Sequence, residues 1–405
     1  MRVAMVSGQA SPLAAFGKVD AGGRNVHVAG LSAALSSLGH EVVVYTRRDA
    51  GGLPGEVAAP GGYRVVHVDA GPARAVGEDE LPPYMGDFAV VLRRLWRDWR
   101  PDVVHAHHWM SGLVATSAAH HLSIPLVQTF HELATISKRH LKAADAGPDE
   151  RIMLERVIGR RADRVVASCT DEAFELVQLG VPRQRISVVP SGVDVDLFTV
   201  DGPVCRRGRA RRIVAVGKLA PRKGFDTIVA ALPALPETEL VIAGGPAANR
   251  LKLDPQARAL LRLAEDLGVA DRVRLRGSVS RADMPRLLRS ADVVACMPWY
   301  EPFGIVPLEA MACGRPVVAS AVGGQVDTVV DGVTGLHVPP RSPRALVDAL
   351  RRLLDDVVTR TAYGMAGRDR AVARYSWDRV AQQIAGVHKR AVNGQHRPRL
   401  VRGGS

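Results

Sequence analysis

Residues 300–312 read Y-E-P-F-G-I-V-P-L-E-A-M-A. They carry two carboxylates, Glu301 and Glu309, with seven residues between them and Gly304 just after a Pro-Phe pair. The apolar run 292–296 before them reads as a buried strand. Residues 307–313 read as a helix start, with Pro307 tolerated in the first turn. The peptide is therefore a strand-to-helix turn. Its N–H groups point into the crevice at the carboxyl end of a parallel sheet, where open α/β sheets bind ligands. Carboxylates there accept hydrogen bonds from ligand hydroxyls. Two glutamates at this spacing also fit a surface turn with solvated side chains, so the surrounding chain has to decide.

Working outward, residues 212–216, 239–243, 273–275, 316–320 and 336–338 read as further strands. Helical patterns lie between them at 225–232, 254–267, 283–290 and 344–354. The first half repeats the alternation. Residues 2–7, 40–46, 64–68, 101–106, 125–129, 164–167 and 186–189 are strand-like, and 26–38, 85–99, 111–121, 148–162 and 172–179 are helical. Strands alternating with helices of this length imply parallel, doubly wound sheets. Residues 190–212 hold turn residues and charge without periodicity and read as a linker. This gives an N-terminal domain over 1–195 and a C-terminal domain over 205–377. A helix at 378–392 is expected to pack back on the first domain, and 393–405 form a disordered tail. No G-x-G-x-x-G fingerprint is present, which disfavours a nicotinamide dehydrogenase.

A chain of 405 residues fits two domains, or three. No apolar run is long enough to span a bilayer. The first residues are too short for a signal peptide and lead into a Gly-rich turn, so the expectation is a cytoplasmic protein. Four cysteines without a C-x-x-C pair exclude a disulfide framework and a cysteine zinc site. The net charge of +13 fits an anionic ligand or partner, or an Arg-rich coding bias. Aromatic residues are few and none interleave with the basic runs, which weakens nucleic-acid stacking. A nucleic-acid or anionic-surface binding protein is kept as the rival class.

His105, His107 and His108 follow one expected strand and His131 another. His107 and His131 pair as metal ligands only in principle. No acidic pattern stands near them, and strand-end histidines more often make hydrogen bonds, so no metal is expected.

The run V-G-K-L-A-P-R-K-G-F-D from Val216 sends Lys218 and Lys223 from a strand end into a helix, where cations meet phosphates. Taken with A-G-G at Ala243, E-P-F-G at Glu301 and G-G-Q-V-D at Gly323, the chain resembles the retaining glycosyltransferases of family 4 over roughly residues 1–390. It is similar to their actinobacterial branch, which includes the inositol-phosphate N-acetylglucosaminyltransferase of mycothiol synthesis. The resemblance implies an α/β fold of GT-B type: two Rossmann-like, doubly wound domains facing a central cleft.

It also implies roles. Glu301 holds donor-sugar hydroxyls, and the backbone of Phe303, Gly304 and Ile305 contacts sugar and diphosphate. Glu309 accepts from the ribose hydroxyls. Lys223 and Lys218 meet the diphosphate; Lys218 stands where the family usually has Arg and loses the bidentate fork. Arg276 and Gly277 border the base, and Gly22 and Gly23 approach the diphosphate closely. His131 contacts the sugar near the reacting carbon and, with Lys218, Lys223 and Glu301, makes up the catalytic set. Glu78, His107, Glu132 and Arg151 fall to the acceptor.

In the resembled branch a Lys stands at the position of Glu78 and a Thr follows the His, both facing an acceptor phosphate. Glu78 and Glu132 would repel a phosphate. The expectation is therefore a metal-independent hexosyltransferase using a nucleoside diphosphate sugar and no other cofactor. Its acceptor is small, polar and non-phosphorylated, in natural-product or small-thiol biosynthesis. The alternative is an inositol-phosphate or lipid-linked inositol acceptor, and for Glu78 an exposed helix start with no ligand. Neither nucleic acid nor membrane insertion is expected, and a homodimer is an allowed assembly.

Overall fold

Continuous β-branched runs such as E-V-V-V-Y-T-R, buried from its second residue on, form strands covered on both faces. A computed structural model describes residues 1–14, 22–141, 148 and 150–395. It divides into two compact units, each built on such strands.

The first unit contains the described residues up to Pro190 and those from Val380 onward. Its strands are β1 (Arg2–Val6), β2 (Glu41–Arg47), β3 (Glu56–Ala58), β4 (Arg64–Val68), β5 (Val103–His107), β6 (Leu126–Thr129), β7 (Arg164–Ala167) and β8 (Ile186–Val188). Their order is β3-β4-β2-β1-β5-β6-β7-β8. All pairs are parallel except β3 with β4. β3 lies in a Gly/Pro-rich stretch that reads as loop; its pairing with β4 comes from an edge left open, which no local pattern encodes.

The described residues of the second unit run from Ser191 to Arg379. It holds β9 (Arg211–Val216), β10 (Thr238–Ala243), β11 (Val273–Gly277), β12 (Val293–Cys296), β13 (Val317–Ser320) and β14 (Gly335–Val338), all parallel, in the order β11-β10-β9-β12-β13-β14. Alternate strand residues face opposite layers. Ile213, Leu240 and Val293 join Ile228 and Leu350 on one side, while Val214, Val241 and Val294 join Leu308 and Met311 on the other. Burying each such side chain contributes about 1.5–3 kcal/mol.

Three departures from the sequence reading have physical causes. The stretch after Pro190, read as a linker, packs into the second unit: Val193 and Phe198 are buried, and Arg368 donates to the carbonyls of Val195, Phe198 and Ala312. A helix over Val357–Tyr375 was not expected, because its glycines interrupt the periodicity. Those glycines are contact points, and a Cβ on Gly364 would meet the Gly314 carbonyl oxygen at 2.2 Å. The final helix spans Trp377–Gln395, so 393–395 continue it rather than a tail; residues 396–405 of that expected tail lie outside the described residues. Likewise the helix expected from 148 begins at Arg151.

Candidate functional site

In the second sheet the chain winds from β9 outward through β10 to β11. It then returns to β12 on the other side of β9. The loops after β9 and β12 therefore leave the sheet in opposite senses, and that divergence opens a crevice at the strand ends. The loop after β9 carries Lys218 and Lys223, and the loop after β12 carries Glu301. The register of β12 on β9, Val293 beside Ile213 and Val294 beside Val214, brings these distant segments together. Lys223 Nζ donates to Glu301 Oε2 at 2.5 Å. Burial pushes the Glu301 carboxyl up, but Lys223 and the Gly304 backbone prevail and hold it below its usual range.

Gly304 has φ 71° and precedes the helix Ile305–Ala312. This left-handed turn lets the chain reverse from β12 into the helix. The 323–324 glycine pair closes on it from behind: Gly324 N donates to the Glu301 carbonyl at 2.9 Å, and a Cβ on Gly324 would meet the Pro302 carbonyl oxygen at 2.8 Å. Phe303 and Ile305 are half-buried in this turn. Glu309, one turn into the helix, is buried and accepts from Arg281 at 2.8 Å. Burial raises its pKa and the Arg281 guanidinium opposes the rise. Lys218 is exposed. Arg276 and Gly277 close β11, the edge strand, and Arg276 is also exposed.

The first sheet has its own point of reversal between β1 and β5. His107 ends β5, and His131 follows β6. His131 is buried with φ 66°, and His108 has φ 78°, conformations that L side chains adopt only at a cost of about 1–3 kcal/mol each. His107 Nδ1 and His131 Nε2 lie 3.0 Å apart. Burial pushes both imidazoles well below their ordinary pKa, so they are neutral near pH 7. His105 stacks on His107 at 4.4 Å and bonds Thr129 Oγ1 and His388.

Glu78 opens a short turn and is half-exposed, paired with Arg24 at 3.4 Å and with His108 Nε2 at 3.2 Å. Burial works against its ionisation. The His108 bond and the charges of Arg24 and Arg151 overcome it and bring the carboxyl down to about 2. His108 itself is pushed down to about 4, chiefly by burial, so near pH 7 it acts as a neutral N–H donor and Arg24 is the standing charge.

Glu132 accepts from Ser137 Oγ at 2.7 Å. Arg151 is buried and holds structure: its Nε donates to Glu155 and a terminal nitrogen to the Glu132 carbonyl. Gly22 has φ −64°, and among the described residues a Cβ there would meet Asn25 Oδ1 at 3.4 Å. Gly23 begins the helix Gly23–Ser37.

Sequence reasoning missed four participants. Arg24 and His27 follow Gly23 within one helical turn, so their placement was open to inspection. Arg281 and His388 carry no local signal; the partner of His388 lies 283 residues away.

Residues 21–197 match the model described as Glycosyltransferase Family 4, and residues 206–370 match Glycosyl transferases group 1. The chain is 39% identical to a D-inositol 3-phosphate glycosyltransferase of Xylanimonas cellulosilytica, over 96% of this chain and 97% of that protein. It is 36% identical to the protein of the same name from Mycobacterium bovis, over 100% and 86%. Among solved structures it is similar to sucrose-phosphate synthase from Thermosynechococcus elongatus, with a TM-score of 0.87, 28% identity, and 97% and 100% of the chains covered. The catalytic domain of starch synthase IV from Arabidopsis thaliana shares the fold at TM-score 0.71 and 17% identity, over 97% and 99%. The names of these curated relatives specify a phosphorylated acceptor, whereas the expectation from Glu78 and Glu132 is a non-phosphorylated one. Among the described residues no helix is long and apolar enough to cross a membrane.

Proposed function

We propose, from the premise that this chain belongs to glycosyltransferase family 4 and to the branch of the D-inositol 3-phosphate glycosyltransferases, that it transfers a hexose from a nucleoside diphosphate to a hydroxyl of inositol 3-phosphate. The observation that carries the donor half is the Lys223–Glu301 pair at the sheet's reversal point. A diphosphate competes for Lys223 and frees Glu301 to accept from sugar hydroxyls. Glu309 accepts from the ribose. The exposed Lys218 supplies a second cation for the leaving diphosphate, so no metal is needed for that charge.

The bond from the anomeric carbon to the diphosphate oxygen breaks, and a bond to the acceptor oxygen forms on the same face. The acceptor's proton passes to a diphosphate oxygen. His131, neutral and fixed by its backbone, contacts the sugar beside the reacting carbon. On the acceptor side, Arg24 donates to Gln9 Oε1 at 3.2 Å and meets Glu78 at 3.4 Å, and a phosphate competes for it.

A second reading follows from Glu78 itself. A carboxylate held ionised beside Arg24 disfavours a phosphate and suits an uncharged or cationic cyclitol. An acceptor panel with radiolabelled nucleotide sugars decides between the two. Acceptor-dependent transfer that is fastest with inositol 3-phosphate is expected. Faster transfer to unphosphorylated inositol or an aminocyclitol selects the second reading. Nucleotide-sugar turnover with none of them would refute both.

A further inference from the structure

The sequence weighs only His107 and His131 as a metal pair. Folding adds His27 from the helix Gly23–Ser37. All three are buried, and one nitrogen of each lies within 4.8 Å of the others. The rings face one another: His27 and His131 meet edge-on at 4.9 Å between centroids, His107 and His131 stack at 5.2 Å, and His27 and His107 are 5.7 Å apart.

Between His107 Nδ1 and His131 Nε2 the separation is 3.0 Å. Tetrahedral zinc with bonds of about 2.0–2.1 Å places its ligand nitrogens roughly 3.3 Å apart, so a small movement admits the ion where one proton now lies between two nitrogens. All three imidazoles are buried, and a metal ion would bind each through a ring nitrogen. The surroundings are stiff. His107 is stacked on His105, which is anchored to Thr129 and His388, and His131 is fixed by its left-handed backbone. No carboxylate belongs to the set, and an all-imidazole set suits zinc and its first-row neighbours rather than magnesium or calcium.

We propose that His27, His107 and His131 bind one divalent first-row transition metal ion of the zinc type, and that its binding blocks sugar transfer by occupying the lone pair of His131. Three protein ligands leave a fourth position for water. The blocking half rests on the reading of His131 as the donor-sugar contact; the binding half does not.

The experiment uses the full chain stripped with a chelator and titrated with Co²⁺, whose visible absorption reports four-coordinate geometry, followed by displacement with Zn²⁺. One equivalent is expected to bind. His27→Gln and His107→Gln should each weaken binding at least tenfold, while the paired His120→Gln and His121→Gln change on an exposed helix end leaves it unaltered. Thermal melting reports whether each variant is folded, and the wild-type stoichiometry and spectrum stand without the variants. Transfer by the wild-type protein should fall as one equivalent of Zn²⁺ is added and return with chelator. No stoichiometric binding, unchanged affinity in both folded variants, or loss of binding in the His120/His121 variant overturns the site. Binding without inhibition overturns the blocking half. Absence of transfer from the metal-free protein refutes the proposed function and leaves the site standing.

Discussion

Arg281 reaches Glu309 Oε1 at 2.8 Å, while its guanidinium lies 5.1 Å over the ring of Phe198. Glu309 is buried, and burial alone favours its neutral form. Arg281 opposes that rise, so it favours the ionised form of the group proposed to accept from ribose hydroxyls. Arg281→Met should raise the Glu309 pKa further and weaken nucleoside-diphosphate binding. A charged hydrogen bond contributes about 1.5–3 kcal/mol, so the expected loss is roughly ten- to a hundredfold. The 2′-deoxy nucleotide should lose less than the ribonucleotide. Calorimetry with both ligands tests this; equal losses would remove Glu309 from ribose recognition.

Lys223→Met should reduce kcat/KM by about a hundredfold or more, because a cation on the leaving diphosphate acts mainly in the transition state. The Glu301 pKa should rise once its partner is gone, since burial then acts without opposition. Lys218→Arg should retain activity, since the charge is kept and the side chain is exposed. Steady-state kinetics on both variants, with melting curves as controls, measure the contrast.

Glu155 is fully buried between Arg151 and the Ala134 N–H, and burial lifts its pKa from 4.5 to about 7 against their pull. Between these values the folded chain keeps a proton that the unfolded chain has released. Stability from this group is therefore present below about pH 4.5 and declines as pH rises to about 7, by at most about 3 kcal/mol. Glu155→Gln keeps an acceptor for Ala134 and removes the titration. The wild-type minus variant stability, from urea midpoints at pH 5 and 7.5, should fall with pH. A flat difference would mean that Arg151 keeps Glu155 ionised throughout.

Gly224 and Gly39 both have left-handed backbones, at φ 65° and 81°. Among the described residues a Cβ on Gly39 meets nothing within 4 Å, whereas one on Gly224 would come to 1.9 Å from the Met297 carbonyl oxygen. Gly39→Ala should cost about 1–2 kcal/mol from conformation alone. Gly224→Ala should cost distinctly more and also reduce activity, because the turn it closes aims Lys223. Denaturant midpoints of the two variants compare them.

The two parallel sheets were legible because βαβ alternation leaves a strong periodic mark, and E-P-F-G fixed the turn that carries Glu301. The Lys223–Glu301 pairing was legible only as two roles; their contact depends on β12 joining β9 across intervening strands. Arg281 and His388 were invisible for the same reason. Each acts through a partner that topology supplies, and a local pattern records only neighbours in sequence. The packing of Val193 and Phe198 into the second unit was hidden by a stretch without periodicity, since irregular backbone buries apolar residues at unpatterned positions.

The final helix starts in the second unit and completes the first, where His388 bonds His105 at 3.1 Å. During synthesis, residues 191–379 must therefore emerge before the first unit can close its core. At about 5–20 residues per second that wait lasts roughly ten to forty seconds. Through that interval the nascent first unit carries an uncovered apolar face, into which Val380, Ile384 and Val387 later fit. The 191–379 stretch of the second unit is complete before Val380 is made, so that unit can reach its native state earlier. Order of maturation in this chain thus runs against order of translation, and a ribosome-stalled fragment ending before Val380 would present a chaperone substrate rather than a finished domain.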